Sequence, residues 1–143
     1  MSLCPCQSGK EYEVCCGAII GGSQPALTAE ALMRSRYSAF VKGEIDHLKN
    51  SLHPDHRGDF DPAATKDLAD NSAWLGLQIL KTTGGGKDDQ EGTVEFIASF
   101  RIKGVTYQHH ELGQFNRRNG TWYYTDGQLV LPNETPPESA SPD

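Results

Sequence analysis

Four of the 143 residues are cysteines, and all of them fall within thirteen positions, as Cys4-Pro5-Cys6 and Cys15-Cys16. Two thiol pairs separated by eight residues can supply the tetrahedral sulfur set that a structural Zn²⁺ prefers, at about 2.3 Å per bond. Ser8-Gly9-Lys10 supplies the turn between the pairs, and N–H groups near Gly9 with the Lys10 ammonium can offset part of the thiolate charge. With Cys4, Cys6, Cys15 and Cys16 all engaged, one zinc would sit in a closed, structural site with no open position for water. The competing uses of four cysteines fit less well. A disulfide framework spreads its cysteines to close loops across a fold. A redox pair usually reads C-x-x-C beside a βαβ unit, a Cys15-Cys16 bridge would strain the backbone, and an iron–sulfur cluster is the remaining option. Leu3, Tyr12 and Val14 are nearly the only apolar groups in residues 1–16, so the folding of this segment should be coupled to metal binding.

A second set of residues could serve a pocket: Arg36, Tyr37, Trp74, Arg101, His110, Glu111 and Trp122. Histidine titrates near neutrality and arginine can hold an anion, so His110 beside Glu111, with Arg36 and Tyr37 near, could perform general acid/base work. Adjacent strand residues point to opposite faces, however, and only a bulge would bring His110 and Glu111 into one pocket. Tyr37 also fits the core stripe of its helix, and Trp74 and Trp122 read as packing anchors. His109 reads as an exposed or satisfied strand residue, and His53-Pro54-Asp55-His56 as solvated surface. Arg117-Arg118 reads as a hairpin tip. Gly84-Gly85-Gly86 lacks the Lys-Ser/Thr and helix of a phosphate loop and reads as a flexible turn.

These residues need elements to position them. Residues 1–17 form a knuckle and residues 18–27 a linker. Thr28 can cap a helix running to Val41, with Glu30 in its first turn, Ala29, Met33, Tyr37, Phe40 and Val41 on one stripe, and Gly43 ending it. A short helix follows over Glu44 to Leu52, then a polar loop over residues 54–64 and a short helix over Thr65 to Asn71. From Trp74 the period changes to that of strands. Val94, Phe96, Ala98, Phe100 and Ile102 share one face, and Glu95, Ile97, Ser99 and Arg101 the other. Val105 to Phe115 is the next strand, and Asn119-Gly120 marks a hairpin before Thr121 to Thr125. Helices followed by a four-strand meander predict an α+β domain over residues 28–131, its N-terminal helices packed on a curved antiparallel sheet. The Pro-rich segment 132–143 reads as a disordered tail.

Thirteen basic against nineteen acidic residues give a net charge of −6. Binding to duplex nucleic acid or anionic lipid through a broad basic face is disfavoured, and residues 1–16 offer only Lys10 as a base. Half of the excess acidity lies in Glu134, Glu138 and Asp143, so residues 17–132, which would hold a pocket, are nearly balanced at −2. No apolar run approaches the roughly 18 residues of a membrane span, and no secretory signal is visible, so a soluble, cytoplasmic protein is expected.

Cys4-Pro5-Cys6-Gln7-Ser8-Gly9-Lys10 followed by Glu11-Tyr12-Glu13-Val14-Cys15-Cys16-Gly17 resembles the SEC-C zinc motif, named for the C-terminus of the SecA preprotein translocase ATPase. The motif usually has Gly where this chain has Gln7. Together with Leu32 to Phe40, Trp74 to Leu77, His110-Glu111 and Gly120 to Gly127, it resembles the YchJ family of small bacterial proteins, and the likeness covers nearly the whole chain. The resemblance implies a nuclear transport factor 2-like, cone-shaped domain, a fold shared by isomerases, dehydratases and noncatalytic binding modules. Two functional classes follow. One is a zinc-binding adaptor whose knuckle docks a protein partner and whose cone domain binds a ligand, a partner or a second copy of itself. The other is an isomerase, dehydratase or hydrolase acting on a small molecule in the cone-domain pocket.

Overall fold

The structure is a computed structural model and describes residues 2–130; the tail expected over residues 132–143 lies outside the described residues. The chain opens with an antiparallel bridge between Leu3 and Glu11, closed by Cys4 N–H donating to Lys10 O at 2.8 Å. A 3₁₀ turn over Tyr12–Val14 leads into helix α1, Cys16–Ile20. Helix α1 occupies the first residues of the expected linker, because the turn carrying Cys16 continues until Gly21-Gly22 breaks it.

Helix α2, Ala29–Lys42, is the centre of the molecule. Thr28 caps it by accepting the Ala31 N–H at 3.0 Å, and Gly43 ends it in the left-handed region at φ 73°. It is buried on several sides rather than one stripe. Met33 and Tyr37 pack into the sheet core, Ser38 touches the thiol cluster, and Ser35 meets α3 through His47. Small side chains at Ser35, Ser38 and Ala39 let neighbouring backbones approach, which is why the helix is buried without a strongly apolar sequence. Helix α3, Ile45–Asn50, buries Leu48; a 3₁₀ segment, Pro54–Asp59, follows. Helix α4 spans Pro62–Asn71, three residues longer than the sequence suggests, because Asp61 caps it and Pro62 suits its first position.

Strands β1, Ala73–Gly84, β2, Glu91–Ile102, β3, Val105–Arg118, and β4, Thr121–Leu129, form one antiparallel sheet in the order β1-β2-β3-β4. Strands β3 and β4 run further than expected because their pairing survives a bulge at Gln114/Phe115, which bends the sheet without ending it. The pairs Phe96↔Glu111, Ala98↔His109 and Phe100↔Tyr107 set which β3 residues share the helix-facing side with the apolar face of β2. Between β1 and β2, the glycine turn is anchored: Gly85 O accepts the Ala29 N–H at the start of α2 at 2.9 Å. That contact overturns the expectation of a merely flexible turn. No helix among the described residues is long and apolar enough to cross a membrane.

Candidate functional site

The thiol cluster is the first candidate. Its four sulfur atoms lie within 4.8 Å of one another, and Cys6 Sγ stands 3.7 Å from Cys15 Sγ. Sulfurs at the corners of a tetrahedron around one ion at about 2.3 Å stand about 3.8 Å apart, so the donor set fits a metal ion. Cys4, Cys6 and Cys16 are buried, and Cys15 is partly exposed. Hydrogen bonding from Cys16 pulls the Cys6 thiol down to about 4, and the same bond with burial pushes Cys16 far above its usual range. Four thiolates gathered this closely would repel one another, and a divalent cation is what would let all four ionise together. Two hydroxyls reach the sulfurs, Ser8 Oγ at 3.2 Å from Cys15 and Ser38 Oγ at 3.4 Å from Cys4. Residues flanking the turn thus serve the site through Ser8.

The knuckle is fastened to the domain. Arg34 on α2 donates to Cys6 O at 2.6 Å, and Gln7 Oε1 accepts the Leu77 N–H of β1 at 2.8 Å. Gln7 itself sits at φ 64°, the left-handed conformation that a glycine would take without cost. Its side chain runs over Gly76, where a Cβ would stand 2.8 Å from Gln7 Oε1. Cys4, Cys6 and Cys16 belong to the same buried cluster as Met33, Tyr37, Leu77 and Phe96.

The second candidate is a cavity of about 200 Å³ between α2 and the concave face of the sheet. Its walls are largely apolar, from Met33, Phe40, Trp74, Phe96 and Phe100, and its polar groups are Arg36, Tyr37, His109, Glu111 and Tyr124. Glu111 is the hub. Its Oε1 lies 2.6 Å from His109 Nε2, and its Oε2 accepts the Tyr124 hydroxyl at 2.5 Å. The carboxylate rests against a cross-strand glycine pair, Gly113↔Gly127, and a Cβ on Gly127 would overlap both Glu111 Oε2 and the Tyr124 hydroxyl. Burial, reinforced by Glu111, pushes the Tyr124 phenol well above its usual range and keeps it a donor. Arg36 lies 4.6 Å above the Tyr124 ring, with Nη1 donating to Leu48 O at 2.9 Å and to Ser51 Oγ at 2.5 Å. Burial lowers the Arg36 guanidinium to about 10 and, with the Arg36 charge, lowers His47 to about 4.

Both candidates sit in a chain whose sequence has known counterparts. Residues 2–18 match the SEC-C motif, and residues 28–127 match the domain described as YchJ, middle NTF2-like domain. The chain belongs to the YchJ family. UPF0225 protein GSU1048 of Geobacter sulfurreducens is 49% identical over 131 residues, covering 92% of this chain and 81% of that protein. UPF0225 protein SCO1677 of Streptomyces coelicolor is 43% identical over 127 residues, covering 89% and 95%. Among solved structures, RPA3114, a SEC-C motif containing protein from Rhodopseudomonas palustris, superposes with a TM-score of 0.81 at 38% identity, covering 90% of this chain and 98% of that one. A SEC-C motif containing protein from Psychrobacter arcticus gives a TM-score of 0.76 at 28% identity, covering 90% and 82%.

In this YchJ chain the cavity collects Arg36, Tyr37, Trp74 and Glu111 from the residues that sequence pattern singles out. Three others lie elsewhere. His110 is on the reverse face of the sheet, 2.7 Å from Glu95, because no bulge separates it from Glu111 and strand alternation holds. Arg101 is on that reverse face too, exposed, with Thr106 as its partner at 3.3 Å. Trp122 is a buried core residue outside the cavity, paired across the sheet with Arg117. The missed members are His109 and Tyr124. His109 is two residues before Glu111, and that spacing places both on one face. His53 caps the 3₁₀ segment, its Nδ1 accepting the Asp55 N–H at 3.1 Å.

Proposed function

We propose that the NTF2-like domain is a small-molecule site in which Glu111, held by His109 and Tyr124, moves a proton on a bound molecule, and that the cysteine cluster holds one structural Zn²⁺. The observation that carries this reading is a carboxylate with two donors at the wall of an otherwise largely apolar cavity. Tyr124 and His109 each take one lone pair of Glu111, and the carboxylate keeps capacity to accept a proton from a ligand. The His109 side chain is 40% exposed against 11% for Glu111, so it links the buried carboxylate to solvent for proton exchange. Isomerase and dehydratase chemistry, proton shifts without net redox change, suits this set. Zinc is the natural ion for four thiolates in a closed site, and elemental analysis of reduced protein should return about one zinc per chain. Reduced thiols also suit the cytoplasm.

A library of fluorinated fragments screened by ¹⁹F NMR tests the site. Wild-type protein should broaden a subset of signals that Ala98→Phe, which fills the cavity, leaves sharp; the same hits with both proteins would overturn the reading. Protein docking is a second reading, favoured by Leu3 and Val14, which stand 69% and 62% exposed on the knuckle. It expects Leu3→Ser with Val14→Ser to weaken capture of a specific partner, and unchanged capture would remove it.

A further inference from the structure

Building on the small-molecule reading of the cavity, we infer that its ligand is a compact, planar monocarboxylate anchored on Arg36. The Arg36 guanidinium is fixed from one side, where Nη1 spends both of its protons on Leu48 O and Ser51 Oγ. Its face is covered by the Tyr124 ring. The edge carrying Nε–H and Nη2–H has no acceptor among the described residues, and no carboxylate there lies within ion-pair distance of Arg36. That edge presents two parallel donors, the geometry that meets both oxygens of one carboxylate. Among the described residues only Trp122 Nε1 is sealed away without a partner, so the free Arg36 donors retain surface, and Arg36 borders the cavity.

Withdrawing a guanidinium from water is costly, and Glu111 offsets that cost only through space, since no carboxylate among the described residues lies within ion-pair distance of Arg36. Arg36 stays charged at neutral pH even though burial lowers it to about 10. A ligand carboxylate supplies the direct acceptor that the Nε–H and Nη2–H edge lacks. Three features narrow its class. The cavity, at about 200 Å³, falls below the roughly 300 Å³ at which drug-sized sites begin, leaving room for a single ring or a short unsaturated chain. Trp74 packs at 5.4 Å from Phe40 and 5.3 Å from Phe100, so the walls are ring faces and edges that favour a flat partner. Glu111 in the same cavity repels a second negative charge, which selects a monoanion and leaves the far end of the ligand to meet the carboxylate with a proton.

The test compares benzoate with benzamide, its neutral isostere, by NMR titration of the zinc-loaded full chain. Benzoate should bind about 10-fold tighter or more, as a charge-assisted pair in a buried site requires, and should shift the Arg36 Nε signal. The preference needs no substitution at Arg36, whose loss would also unpair Leu48 and Ser51. Ala98→Phe, or Ala98→Leu if the larger ring is not accommodated, should abolish both interactions. Equal binding of the two probes overturns the carboxylate assignment and leaves the cavity reading standing. Benzoate binding that survives the filled cavity also overturns it, because Arg36 borders an open groove against α4 as well. Binding of neither probe, even at about 10 mM, removes both readings together.

Discussion

Helix α2 carries a polar cluster on each of two sides, and the two are satisfied to very different degrees. Toward the knuckle, Ser38 and Arg34 meet groups whose geometry is already closed: each sulfur faces other sulfurs, and Cys6 O is taken by Arg34. Toward the sheet, Arg36 keeps an unused edge, and Glu111 keeps lone pairs beyond those given to His109 and Tyr124. A fully committed cluster contributes stability and leaves no valence for a substrate, whereas a partly committed one costs stability and can recognise a ligand. Helix α2 thus carries the committed cluster on one side and the uncommitted one on the other.

Metal removal is the strongest way to break this contrast. Three of the four cysteines lie in the main core, so if they hold the proposed Zn²⁺, stripping it with a chelator under reducing conditions should cost at least about 4 kcal/mol and remove much of the cooperative unfolding transition. Glu111→Gln should change stability by about 1 kcal/mol, since the amide keeps one acceptor for Tyr124. Thermal unfolding followed by circular dichroism separates the two, and equal losses would mean the clusters are not different in kind.

Gly127→Ala comes next in size. The added methyl group must displace Glu111 or the Tyr124 hydroxyl, neither of which is a free surface end, so a loss of about 2 kcal/mol is expected together with loss of fragment binding. Wild-type stability and binding in this variant would show that the glycine pair does not hold the carboxylate.

What could be read beforehand follows the range of the interaction. The thiol cluster was legible because its ligands are close in sequence and sulfur chemistry tolerates few alternatives. The faces of β2 were legible because alternation is local: Val94, Phe96, Ala98 and Phe100 do share one side. The polar wall of the cavity was only half legible. Chemical adjacency draws attention to His110 beside Glu111, but a strand unites residues two apart, and the partner is His109. Tyr124 depends on the bulge at Gln114/Phe115, which shifts the β3–β4 register by an amount that no residue type announces. The continuation of α1 into the expected linker was hidden because Gly17 next to Cys16 resembles an end, while the helix runs on to Ile20.

His47 offers a pH test on the side of α2 between the two clusters. Its ring meets Ser35 Oγ at 2.9 Å, and because Ser35 donates onward to Leu32 O, the His47 Nε2–H is the donor in the neutral ring. Burial, then Arg36, lowers it to about 4 from about 6.5 when unfolded. The unfolded chain therefore binds more protons between these values, and stability rises with pH across that window. The contribution is present above about pH 6.5 and lost as pH falls toward 4, a change of about 2 kcal/mol after allowing for partial exposure. Chemical denaturation at pH 7 and pH 4.5 should show His47→Gln losing less than wild type over this interval. An identical pH dependence would mean that His47 is not held neutral.

Gln7 gives the smallest effect and the finest discrimination, because two opposing contributions meet in one residue. Its φ of 64° costs a non-glycine residue about 1 kcal/mol, and its side chain returns about the same by accepting the Leu77 N–H at 2.8 Å. Gln7→Ala keeps the conformational cost and loses the bond, so it should destabilise by about 1 kcal/mol. Gln7→Gly loses the bond and the cost together and should fall within about 0.5 kcal/mol of wild type. Both substitutions free the edge of β1 from the knuckle, so the Leu77 amide should exchange faster with solvent in each. Equal destabilisation by Ala and Gly would show that the left-handed turn is not strained, and unchanged exchange at Leu77 would show that the knuckle does not protect the strand edge through Gln7.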